Sequence, residues 1–138
     1  MTFLYSDGGR GAAGFKGEAG DCVVRSIAIA TERPYREVYR DIADRCKEAG
    51  LARSARNGVP RKVYQKYLLD HGWEWTPTMK IGQGCKVHLR ADELPSGRII
   101  CRLSKHMCAV VDGVVLDTYD CSREGARCVY GYFSKGGV

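Results

Sequence analysis

The chain has 138 residues, of which 44% are apolar and 28% charged, with a net charge of +6. That length suits one domain (1–138) with a buried core. No apolar run reaches the ~20 residues that a membrane-spanning helix needs, which excludes a helical membrane span. Met1 to Gly11 lack the basic-then-apolar pattern of a secretion signal, so a cytoplasmic location is expected.

Seven cysteines stand at positions 22, 46, 85, 101, 108, 121 and 128, with no Cys-x-x-Cys among them. An odd, scattered set in a cytosolic chain is expected to stay reduced, several of its members serving as small core residues. The positive charge is concentrated. Residues 33–66 hold ten of the 22 Lys/Arg but only four of the 16 Asp/Glu. Arg53, Arg56, Arg61, Lys62 and Lys66 follow one another with no acid between them. Such a segment is either a solvated helical face or a surface for nucleic acid or an acidic protein.

In chain order, Thr2 to Tyr5 reads as a short strand. Ser6 to Gly20 has six glycines in fifteen residues and reads as a loop lying over another element. Cys22 to Thr31 is a helix apolar nearly all round, with Asp21 as its N-cap. A second helix starts at Pro34, and Tyr35, Val38, Tyr39, Ile42, Ala43, Cys46 and Ala49 form its apolar stripe up to Gly50. Asp41 and Arg45 are spaced as an i,i+4 pair on its wet side. Pro60 opens a third helix carrying Val63, Tyr64, Tyr67 and Leu68, stopped by Gly72. From Trp73 the period becomes two. Arg98 to Leu103, His106 to Val111, Val114 to Tyr119 and Val129 to Phe133 read as strands. Asp112-Gly113 is a strong two-residue hairpin signal. Helices first and an antiparallel sheet second describe an α+β domain.

Three residues suggest chemistry. Cys22 opens the buried helix, where unpaired N–H groups and the positive dipole end favour a thiolate. The hairpin places Val111 opposite Val114, Cys108 opposite Asp117 and His106 opposite Tyr119. His106 and Asp117 are then diagonal neighbours on one face, while Asp120 points the other way. A cysteine nucleophile needs a base, and the base needs a group to orient it. The Cys22 N–H can serve as one oxyanion donor.

Gly-Asp-Cys opening a buried helix, followed by helices and then His-Met-Cys-Ala-Val-Val-Asp-Gly-Val-Val-Leu-Asp, resembles a compact papain-like cysteine peptidase. The nearest pattern is that of bacteriocin-leader peptidases. The opening is also faintly similar to ovarian-tumour-type deubiquitinases. Most of the chain is similar to small uncharacterised bacteriophage proteins, which implies phage or prophage origin and the host cytosol.

The peptidase resemblance implies a papain-like domain with a central Cys22 helix, a Cys22–His106–Asp117 triad, a peptide or protein substrate and no cofactor or metal. Many papain-like enzymes carry a glutamine six residues before the cysteine as second oxyanion donor. Lys16 stands there in this chain, which leaves Lys16 or Gln83 as candidates.

Two other readings stay open. Cys85-x-x-His88 with His106-x-Cys108 has zinc-ligand types, and Cys121 and Cys128 are further thiols, but the tight knuckles of a structural site are missing. The second is an inactive papain-like module that binds nucleic acid or an acidic host protein through residues 33–66.

Overall fold

The structure, a computed structural model, describes residues 1–16, 20–80 and 82–136. Three helices pack on a six-stranded mixed sheet, an α+β fold. The elements are β1 (Thr2–Tyr5), α1 (Cys22–Thr31), α2 (Tyr35–Glu48), α3 (Arg61–Asp70), β2 (Trp73–Pro77), β3 (Arg98–Leu103), β4 (His106–Val111), β5 (Val114–Asp117) and β6 (Gly131–Lys135). The strand order is β1-β5-β4-β3-β6-β2. Four of the five strand pairings are antiparallel. The fifth, β1 beside β5, is parallel, with Tyr5 opposite Asp117. The expected wholly antiparallel sheet is corrected at that edge, because the chain runs from β1 through all three helices before returning. Among the described residues, no helix is long and apolar enough to cross a membrane.

The two-residue turn sets the register as expected. Asp112 and Gly113 both have positive φ, 48° and 80°, which matches the twist of the flanking strands. Val111 faces Val114, Val110 faces Val115 and Ala109 faces Leu116. The Asp112 carboxylate pins the turn by accepting from Gly97 N–H at 2.7 Å. β5 stops at Asp117, two residues short of expectation, because its carboxylate takes the Thr118 N–H at 2.7 Å and turns the chain.

Both faces of the sheet are covered. On one, Ile100, Met107, Ala109 and Phe133 meet Val24 and Ile27 of α1 and the apolar sides of α2 and α3. On the other, Ile99, Cys101, Cys108, Val110 and Val115 pack beneath Leu89, Cys121 and Val129 from the connecting loops. α1 ends with Glu32 in the left-handed region. Arg98 of β3 donates to the carbonyls of Ala30 and Ile29 at 2.9 and 2.5 Å, which fixes the axis of α1 over the sheet.

Two local expectations are corrected. Arg45 pairs with Asp70 rather than with Asp41, whose carboxylate accepts from Arg33 and Tyr67. Cys85 and Cys128 are joined in a disulfide with Cα atoms 5.8 Å apart, and five cysteines remain free. Backbone pairing of His88 with Cys128 brings these two loops together, a contact that cysteine spacing does not encode.

Gly131 starts β6 where it crosses the Trp75 ring. A Cβ there would stand 2.3 Å from the indole and 2.8 Å from the Thr76 carbonyl. Gly131→Ala is expected to destabilise by roughly 1–3 kcal/mol, the usual cost of overpacking. Urea unfolding checks this, and an unchanged midpoint would contradict the packing at that crossing.

Candidate active site

His106 is the first residue of β4 and Asp117 the last of β5. Antiparallel pairing brings these two ends together, and the N-terminus of α1 meets the same end of the sheet. His106 Nε2 lies 2.6 Å from Asp117 Oδ2. The side chains are 9% and 3% exposed, so water screens the pair little. The half-buried Cys22 thiol is within hydrogen-bonding reach of His106 and of the Met107 backbone N–H. The hairpin thus selects Asp117. Asp120 is turned away and accepts from Ser122 N–H and Oγ at 3.0 and 2.7 Å.

These contacts shift all three groups towards their charged forms. Burial alone opposes the Cys22 thiolate, but the hydrogen bond and charge of His106, helped by Met107 N–H and Arg25, lower its pKa below that of an ordinary thiol. Burial likewise disfavours the imidazolium, yet hydrogen bonds with Asp117, Cys121 and Cys22 push His106 up to about 11. For Asp117, burial is outweighed by His106, Thr118 N–H and Arg25, which hold it below 3.8.

Asp21 is not the side-chain cap expected of it. Its carboxylate is buried and bound by Arg10 at 3.3 Å, by Arg25 and by the Tyr35 hydroxyl, which itself accepts from Arg10 at 2.8 Å. Arg25 also reaches Asp117 Oδ1 at 3.4 Å. Arg10, Arg25 and Tyr35 were not among the sequence candidates. The available signal was Arg25, the lone charge in an otherwise apolar helix. With two arginines on it, Asp21 no longer opposes a thiolate one residue away.

Cys22 stands between two cavities. One, about 670 Å³, is lined by Tyr5, Asp7, Phe15, Lys105 and Tyr119 among others. The other, about 390 Å³, lies towards α3 and is lined by Val59, Arg61, Tyr64, Arg102 and Lys105 among others. Part of the glycine-rich loop walls the first cavity and packs on α1, where a Cβ on Gly8 would stand 3.0 Å from the Arg25 carbonyl. Residues 17–19 of that loop lie outside the described residues.

Neither Lys16 nor Gln83 is among the described residues lining either cavity. Both are exposed, and Lys16 is anchored by its carbonyl, which accepts from Arg10 at 3.1 Å.

The four residues of the zinc reading are not brought together. Cys85 is in the disulfide, His88 faces Glu93 at 3.2 Å, and Cys108 is buried in hydrogen-bonding reach of Cys101 and Cys121. A different trio, His106, Asp117 and Cys121, presents one donor atom each within 4.8 Å of the others. The Cys121 thiol is held protonated, first by its hydrogen bond with Cys108 and then by burial. Metals bind the thiolate, so this donor set fits a hydrogen-bonded imidazolium better than an ion.

Compared with known proteins, the chain matches no family model, and no curated protein or solved structure matches it.

The ion pair predicts a pH signature in stability. A raised His106 pKa contributes in full below its ordinary 6.5 and is lost as pH rises through about 11. A lowered Asp117 pKa contributes above its ordinary 3.8 and is lost as pH falls through the folded value. Above about 11 the imidazolium on which both Asp117 and Cys22 depend is gone. The stability difference between native protein and Asp117→Asn is therefore expected to be largest near pH 4–6.5, shrinking on both sides. Urea midpoints of the two proteins across pH measure it, and a difference independent of pH would contradict the pair.

Proposed function

We propose that this chain is a cysteine hydrolase of papain-like type, acting on a peptide, isopeptide or related acyl bond. The observation that carries the reading is the continuous line from Cys22 through His106 to Asp117, with the thiol at a helix start and open to two cavities. The chain order Cys, His, Asp and the Gly-Asp-Cys opening support it.

In this reading the Cys22 thiolate attacks the substrate carbonyl carbon, and the C=O electron pair moves onto oxygen. The Cys22 N–H has no intrahelical acceptor, being the first of its helix, and steadies that oxyanion. His106 turns Nε2 to Asp117, so the proton that moves is on Nδ1. It passes to the leaving amine as the C–N bond breaks, leaving a thioester on Cys22. His106, now neutral, takes a proton from water, whose oxygen attacks the thioester. The acid product leaves and the thiolate–imidazolium pair is restored. Asp117 holds the ring and stabilises its charged form.

The basic segment supports the alternative, a binding module, less than its composition implies. Arg33, Arg45, Arg53 and Lys66 are in ion pairs with Glu37 and Asp41, Asp70, Asp44 and Asp70 respectively. Of the aromatic side chains around it, Tyr64, Tyr67 and Trp73 are buried in the core rather than free to stack on bases.

Iodoacetamide labelling mapped by mass spectrometry between about pH 5 and 9 tests the proposal, since an ordinary thiol near pKa 8.5 is almost unreactive at pH 6. Cys22 is expected to label at pH 6 on the order of a hundredfold faster than Cys46 does in unfolded protein, and to lose this advantage in His106→Ala. Labelling of Cys22 with an ordinary thiol profile, unchanged in His106→Ala, would overturn the hydrolase reading.

A further inference from the structure

The two cavities beside Cys22 differ in charge. In the larger one, Arg10 and Arg25 are neutralised by Asp21 and Asp117, and Asp7 adds a carboxylate beside Lys105. The smaller one, towards α3, is lined by Arg61, Arg102 and Lys105 and by no described acidic residue. None of these three cations makes an ion pair among the described residues.

The two guanidinium groups are held in place. Arg61 lies over the Trp75 ring at 5.0 Å and Arg102 over the Tyr130 ring at 5.7 Å. Arg61 also donates to Gln65 at 3.0 Å. Lys105 occupies the β3–β4 turn with φ of 54°, next to His106 in sequence, and borders both cavities. Stacked guanidinium groups lose little further freedom on binding a partner, so their charge is preorganised. These two guanidinium groups and the Lys105 ammonium, all lining the cleft that reaches Cys22, create a field that concentrates anions there.

We infer that the cleft between Cys22 and α3 is a subsite for an acidic peptide segment, its Asp or Glu carboxylates held by Arg61, Arg102 and Lys105. This rests on the hydrolase reading, which gives the cleft a peptide occupant. A cavity of about 390 Å³ with Val59 and Met107 in its wall fits extended peptide side chains better than a nucleic-acid backbone. The substrate is then a peptide whose acidic residues lie close to the scissile bond on that one side.

The experiment uses Cys22→Ala in the full chain, so binding is read without turnover. Fluorescence anisotropy compares a labelled Glu-rich peptide with its Gln counterpart, and an oligothymidylate of equal charge serves as competitor. The Glu peptide is expected to bind about tenfold tighter than the Gln peptide, as three partly exposed charge contacts provide. The preference should weaken with added salt. In Arg61→Gln/Arg102→Gln/Lys105→Gln it should fall to within about twofold. Lys105→Gln alone, an exposed change with no stacking to lose, should reduce it by about two- to threefold, so the test does not depend on the triple variant folding.

Equal binding of both peptides would overturn the inference, as would a preference that survives neutralisation. So would an oligonucleotide that displaces the Glu peptide through the same three residues, since it would mark a nucleic-acid surface. Failure of the hydrolase reading is seen separately, in the alkylation profile of Cys22.

Discussion

A guanidinium in the core constrains the arrangement of the site. Arg25 sits on the helix that packs most closely on the sheet, and it is only 8% exposed. A buried charge is tolerable only when paired, and removal of one partner from such a pair costs about 3–5 kcal/mol. Arg25 has two partners, Asp21 just before the first turn of its own helix and Asp117 at the end of β5. It therefore ties the start of α1 to the strand that carries the orienting carboxylate. Arg10 and Tyr35 complete the shell around Asp21 and bring the glycine-rich loop and α2 to the same point.

The charges of this buried set balance in a way that bears on the chemistry. Arg10 and Arg25 match Asp21 and Asp117 when Cys22 and His106 are both neutral. Moving a proton from Cys22 to His106 adds one charge of each sign, adjacent to one another. The thiolate–imidazolium state thus adds no net buried charge. It gains the short Asp117 contact on the imidazolium and the helix start and Met107 N–H on the thiolate.

Local signals were legible where they depend on near neighbours. The apolar circumference of α1, the stripe of α2 and the Asp112-Gly113 turn each fix an element within a few residues. The turn also fixes which carboxylate faces His106, because side-chain parity propagates along both strands. What depended on distant partners was not legible. Nothing in Thr2–Tyr5 says that β1 lies parallel to β5, and cysteine spacing does not say that Cys85 meets Cys128. Lys16 was singled out by its distance from Cys22 in sequence, yet the loop turns its side chain to solvent. Lys105, adjacent to His106, borders both cavities instead. Composition did not show how much of the basic segment is paired, since acids one helical turn or one helix away take up Arg33, Arg45 and Arg53.

In the proposed chemistry Cys22 and His106 rest as an ion pair. Nitrogen NMR of the His106 ring, followed against pH in native protein, tests it most directly. Both ring nitrogens are expected to be protonated at pH 8, with titration only as the pH approaches about 11, far above the ordinary 6.5. A neutral ring at pH 8, with an ordinary titration near 6.5, would contradict it.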